Sequence, residues 1–156
     1  MLELHTATDI FQLPKGNTEA VAFTTNGIIR KDGRAVVGKG IAKQANTLFH
    51  IDEKLAHFLR QYGNRAFNLG QYQNTSTGAV FTLFTFPTKY DWKEDSDITL
   101  ICKSAEQLMQ MSDKFKVTHC YIPPVGCGCG NLNWENTVKP WVSQILDDRF
   151  TVVFRK

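Results

Sequence analysis

Gly126-Cys127-Gly128-Cys129-Gly130-Asn131-Leu132 carries the densest glycine content of the chain. Glycines let backbone approach a ligand closely, and successive bare N–H groups ahead of a helix N-terminus form an anion pocket. Three glycines in five residues therefore favour a phosphate or diphosphate cradle. The competing reading is an ordinary strand-to-helix turn, for which one or two glycines suffice. Gly33-Arg34-Ala35-Val36-Val37-Gly38-Lys39-Gly40 nearly spells a nucleotide-triphosphatase P-loop, but Gly40 stands where a hydroxyl should hold magnesium. Its distance from the strand ending near Thr25 also argues against that motif. A second glycine wall for a phosphate pocket, or a flexible basic loop, fits better.

Single residues add chemistry around these loops. Lys89 leaves a strongly apolar segment in Phe86-Pro87-Thr88-Lys89. In water such a lysine is a charged spectator; partly buried beside other cations, it can lose its proton and attack carbon. Asp9 caps a turn, or accepts the exocyclic amine of a base. Asn26, in Asn26-Gly27, turns the chain, or reaches a ligand hydroxyl with its carboxamide. The four histidines fall in different elements with no triad partner. Cys102, Cys120, Cys127 and Cys129 lack the paired spacing of a zinc site and the density of a disulfide scaffold. No metal and no cofactor is expected, and reduced thiols suit a cytoplasmic protein. Trp92, Trp134 and Trp141 read as core or lid.

These residues need a scaffold. Ala20–Thr25, Ala66–Leu69, Ala79–Phe86, Thr118–Ile122 and Phe150–Phe154 read as strands. Ile41–Phe49, a segment capped by Asp52 and ending at Arg60, one capped by Asp97 and running to Met111, and Trp134–Leu146 read as helices. Strands and helices alternate, which predicts an α/β fold with helices on both faces of a largely parallel sheet. Ligands of such folds sit at the carboxyl ends of strands. Asn26-Gly27, Pro87-Thr88-Lys89 and Gly126–Leu132 all follow strands, so three loops are expected on one rim.

The chain has 156 residues, enough for one domain that buries roughly 70% of its unfolded surface. Hydrophobic residues make up 42% and charged residues 21%, which excludes a disordered chain. No apolar run approaches the ~18 residues of a membrane span, and the first residues do not read as a secretory signal. With 18 Lys+Arg against 15 Asp+Glu, the net charge of +3 permits an anionic ligand without announcing a nucleic-acid surface.

Taken together and in order, Ala22 to Gly27, Gly38-Lys39-Gly40-Ile41-Ala42, Phe86-Pro87-Thr88-Lys89 and Pro123-Pro124-Val125-Gly126-Cys127-Gly128 resemble the blocks of macro domains. The resemblance is to the branch that includes DarG-type DNA ADP-ribosylation antitoxins, and Asn131-Leu132-Asn133-Trp134-Glu135 continues it. It covers most of the chain. It implies a single three-layer α/β/α sandwich with a mixed, largely parallel sheet that binds ADP-ribose above the strands. Asp9 and Ile10 would meet the adenine. Asn26, Gly27 and the Gly38-Lys39-Gly40-Ile41 loop would surround the distal ribose. Thr88 would line the cleft, and Val125, Gly126, Cys127, Gly128, Cys129, Gly130, Asn131 and Leu132 would cradle the diphosphate. By the same resemblance Lys89, helped by Asn26, would act near C1″ as a base or imine-forming nucleophile. ADP-ribose would thereby be released from DNA or protein by a monomeric enzyme. Non-enzymatic binding, or a phosphatase acting on ADP-ribose 1″-phosphate, are the alternatives. Gly130 stands where some macro domains carry a catalytic aspartate, and the segment from Ile28 to Val37, with Arg30, Lys31 and Arg34, is longer than their common loop.

Overall fold

The computed structural model describes residues 1–156 as an α/β/α sandwich around one six-stranded sheet. The strands are β1 (Leu2–Thr6), β2 (Glu19–Thr25), β3 (Asn68–Gln73), β4 (Val80–Pro87), β5 (His119–Ile122) and β6 (Phe150–Arg155), ordered β1-β6-β5-β2-β4-β3. Every pairing is parallel except β3 with β4. The helices are α1 (Gly40–Phe49), α2 (Asp52–Tyr62), α3 (Ile98–Lys114) and α4 (Lys139–Ile145).

Strand alternation divides the core into two halves. Ala20 and Ala22 of β2, with Phe84 and Phe86 of β4, face α3 and α4. Val21 and Phe23, with Phe81 and Leu83, face α1 and α2. Both strands are buried on both sides, which accounts for their continuous rather than alternating apolar character. Each fully buried phenylalanine contributes about 1.5–3 kcal/mol relative to an exposed one.

Local signals fix most element ends. Asp97 Oδ1 accepts from Leu100 N at 3.1 Å and starts α3, as expected. Gly63, at φ +81°, ends α2. Asp52 differs from expectation. It lies inside the first turn of α2, and the cap comes from the preceding helix, where Asn46 Oδ1 accepts from Asp52 N at 3.1 Å. A cap borrowed across a turn leaves no mark at the usual sequence position.

Three further elements depart from the sequence reading. β1 is an edge strand whose Leu2 and Leu4 remain 49% and 36% exposed, so its alternation lacks a buried face to announce it. β3 begins two residues later than expected and runs on through polar Gly70-Gln71-Tyr72-Gln73, with an irregularity between Asn68 and Gly70. Its partner β4, not its own propensity, makes it a strand. The expected last helix is split into a π-helical turn, Trp134–Val138, and α4. Pro140 has no N–H to donate and so sits at the start of the α-helical part.

Candidate functional site

A cavity of about 520 Å³ opens at the carboxyl ends of β2, β4 and β5. Thr24 and Thr25 end β2, Thr88 and Lys89 follow β4, and Pro123 and Pro124 follow β5; all six line it. The three expected loops do converge on one rim. The fourth wall is Val36, Val37, Gly38, Lys39 and the first turn of α1, Gly40, Ile41 and Ala42.

Unpaired backbone donors belong to residues on two walls of this cavity. Within the glycine loop, Cys127 N donates to Pro124 O (3.3 Å), Asn131 N to Gly128 O (3.3 Å) and Leu132 N to Gly126 O (2.9 Å). The N–H groups of Gly126, Gly128, Cys129 and Gly130 donate to no protein atom. The loop thus keeps four of its seven amides for something else. On the other wall, Lys39 precedes α1 as its N-cap, and its side chain makes no capping bond. Gly40, Ile41 and Ala42 are the donors a helix start leaves unpaired, and the helix dipole adds partial positive charge there. Two such arrays across one cavity suit an extended anion with two phosphates.

The loop is strapped down from the other side. Ser96 N donates to Gly130 O at 2.9 Å, and Asn131 Nδ2 donates to Asp95 Oδ1 at 2.8 Å. Lys89, half-buried, donates through Nζ to Cys129 O at 2.9 Å and Trp92 O at 3.4 Å. Asn64 Nδ2 in turn holds Lys89 O at 2.9 Å. The one lysine expected to do chemistry therefore bridges the β4 exit and the glycine loop.

The remaining expected residues divide into lining and support. Cys127, Gly128, Cys129 and Gly130 line the cavity with Gly126. Asn26 lines it too, but its carboxamide spans its own loop: Nδ2 donates to Val36 O at 3.1 Å, and Oδ1 accepts from Ile28 N at 3.0 Å. One amide hydrogen and one lone pair are left over. Gly27, Val125, Asn131 and Leu132 lie outside the lining. Gly27 N donates to Tyr90 O at 3.2 Å, and a Cβ there would press on Asn64 at 3.0 Å. Val125 is wholly buried in the core, and Leu132 packs against it.

Asp9 and Ile10 sit apart. Asp9 borders a second cavity of about 390 Å³ beside Gln44 and Asn74; Gly40 borders both cavities. Asp9 Oδ1 accepts from Phe11 N at 2.8 Å, capping the short turn Ile10–Gln12, and Oδ2 accepts from Gln44 Nε2. Ile10 packs against the α1/α2 half of the core. The capping reading of Asp9 holds, and a base amine would share an already engaged carboxylate.

Ser96 was not legible in the sequence. It lines the cavity, is 8% exposed, and its hydroxyl has no hydrogen-bond partner. All four cysteines are free thiols. Burial pushes the Cys127 thiol up to about 11 from 9.0, so it is neutral at physiological pH and a poor nucleophile. No group of three or more His, Cys, Asp or Glu side chains is placed to hold a metal ion. No helix is long and apolar enough to cross a membrane.

The chain matches no protein-family model. It is 26% identical over 147 residues to a DNA ADP-ribosyl glycohydrolase of Mycobacterium tuberculosis, over 91% of this chain and 40% of that protein. It thus spans well under half the length of that curated relative. The macrodomain of Mycobacterium tuberculosis DarG superposes with a TM-score of 0.72 at 23% identity, covering 97% of this chain and 96% of that one. Thermosipho africanus DarTG in complex with ADP-ribose gives 0.67 at 19% identity, over 86% and 37% of the two chains. The fold is that of a macrodomain.

Proposed function

From a macrodomain fold with sequence similarity to the DarG type, we propose that this chain binds ADP-ribose and releases it from modified DNA. The observation that carries the binding half is the presence of two unpaired amide arrays in the lining of one cavity, Gly40–Ala42 at the start of α1 and Gly126, Gly128, Cys129 and Gly130 in the glycine loop. A diphosphate between them would be met by N–H groups on both sides, with no basic side chain required. The adenosine end would run toward the second cavity beside Asp9. The distal ribose would lie toward Asn26 and Lys89.

Lys89 supports the releasing half. As an amine, a lysine has two N–H bonds and one lone pair. Donating to Cys129 O and Trp92 O would use both hydrogens and leave the lone pair for a proton or for C1″. As an ammonium, the same group is held by two carbonyls and assists binding alone. That second state favours the alternative reading, a binder of ADP-ribose without turnover. Asn26, tied to Val36 and Ile28, would hold the loop over the distal ribose.

Incubation with ADP-ribosylated DNA and, separately, with ADP-ribosylated protein tests the proposal. Release from the DNA is expected, with Lys89→Ala slower by about 100-fold or more and still able to bind ADP-ribose. Binding without release from either substrate would leave the binder reading standing. No calorimetric heat at millimolar ADP-ribose would reject both.

A further inference from the structure

Two rungs join the exits of β2 and β4 beyond the strands themselves. Thr88 N donates to Thr25 O at 3.1 Å, and Gly27 N donates to Tyr90 O at 3.2 Å. Asn26 and Lys89, the two residues expected to meet the distal ribose, lie within this zip, yet neither rung engages Lys89. Its carbonyl is taken instead by Asn64 Nδ2 at 2.9 Å. Asn64 follows Gly63, whose φ of +81° ends α2 and lets the chain turn under these loops. The same carboxamide lies against Gly27, where a Cβ would come within 3.0 Å of both Asn64 Cγ and Asn64 Nδ2. One side chain therefore meets both strand exits.

Lys89 is held at both ends. Asn64 fixes its main chain, while Nζ donates to Cys129 O at 2.9 Å and to Trp92 O at 3.4 Å. Between these ends runs a flexible four-carbon stem. Such a stem reaches one point reliably only when its root is fixed, and a misplacement of about 1 Å can cost about 100-fold in rate. Packing alone does not account for the carboxamide. Asn64 Oδ1 is buried with no hydrogen-bond partner. An unpaired buried acceptor works against folding, and an apolar side chain of similar size would avoid that penalty. What the amide supplies is its donor, and the donor goes to Lys89.

We propose that Asn64 is a positioning residue for Lys89: its N–H fixes the lysine's main chain and so sets where the amino group stands at the rim of the cavity. This rests on the release reading above and deepens it, because it names what aims the lysine. Asn64 does not itself line the cavity. It acts through Lys89, and the glycine loop keeps its ties to Ser96 and Asp95 without it. Diphosphate binding is therefore independent of Asn64, whereas the reach of Lys89 is not.

The test reads Lys89 directly and needs no turnover. Brief acetylation with sulfosuccinimidyl acetate, followed by peptide mass spectrometry, gives the rate at half-buried Lys89 relative to exposed Lys103 on α3. Asn64→Asp keeps the size and removes the donor. It should raise that ratio about threefold or more, as the freed stem samples solvent, and Asn64→Ala should do the same. On ADP-ribosylated DNA, both should lower kcat about tenfold or more, with KM and the calorimetric affinity for ADP-ribose within about threefold of the parent. Should Asn64→Ala fail to fold, as a melting curve reports, the isosteric Asn64→Asp decides alone. An unchanged Lys89 ratio in Asn64→Asp overturns the proposal, since size and not the donor would then matter. So does a loss of ADP-ribose affinity as large as the loss of turnover, which would mean that the whole cavity had moved. A parent protein that releases nothing would fail only the hydrolase reading, because the acetylation ratio still decides the role of Asn64.

Discussion

Gly130 and Ser96 interlock at the base of the glycine loop. A Cβ built on Gly130 would collide with Ser96 Oγ and with Gly126 O, and would lie 2.8 Å from the Gly126 carbonyl carbon. The same two residues are tied by Ser96 N donating to Gly130 O at 2.9 Å. Position 130 therefore admits hydrogen and nothing larger. The aspartate that the macro-domain resemblance places here cannot stand on this backbone. Gly130→Ala should force the loop open. A loss of about 1–3 kcal/mol is expected from such overpacking, and ADP-ribose affinity should fall by more than tenfold in calorimetry.

Gly128 offers the opposite case. No atom lies within 4 Å of a Cβ built there. Gly128→Ala should leave the melting temperature within about 1 °C of the parent, since no contact changes. If a diphosphate approaches the Gly128 amide as proposed, the added methyl should nevertheless weaken ADP-ribose by about fivefold or more. Unchanged affinity would place the phosphates elsewhere.

The thiols give a pH dependence with a defined sign. Cys127 titrates near 11 in the fold against 9.0 unperturbed, because burial disfavours its thiolate. Burial shifts Cys120 upward as well. Above pH 9 the unfolded chain sheds these protons and the folded chain retains them, so their contribution is whole below pH 9 and declines as pH climbs toward 11. Melting temperature should drop between pH 8.5 and 10.5, and Cys127→Ser should shrink that drop. At pH 8, pulsed iodoacetamide should label exposed Cys129 well before Cys127, as read by peptide mass spectrometry.

Asp97 supports the site indirectly. Its carboxylate caps α3, and its N–H donates to Thr88 O at 2.9 Å beside Lys89. Asp97→Ala should cost about 1 kcal/mol of stability in urea melts, the usual loss of a helix cap. Asp97→Asn should recover most of it. A loss below ~0.3 kcal/mol for the alanine would show that the cap is dispensable.

The central strands, the α3 start and the three converging loops were legible because each has a local cause: apolar runs closed by Asn-Gly or proline, a capping aspartate, glycines between strand and helix. β1 was not, and β3 only in its first two residues, Asn68 and Leu69, since edge strands take their conformation from the neighbour they pair with. Within the site, glycine spacing announced the anion pocket but not which amides remain unpaired. That depends on long-range straps from Ser96, Asn131 and Lys89, which no periodicity encodes. Asn64, which holds the Lys89 carbonyl from 25 residues away, was hidden for the same reason. Glycine served two ends that composition cannot separate: Gly128 is open to the cavity, while Gly27 and Gly130 are small because a neighbour crowds them.

β2 is paired in parallel on both flanks, to β4 and to β5, and its Ala20 to Phe23 stretch has no exposure to water. Deuterium should reach these amides only when the whole molecule unfolds, while the glycine-rich segments above them exchange within seconds. The bottom of the cleft is thus a fixed anvil, and any adjustment to an incoming nucleotide must be made by the rim.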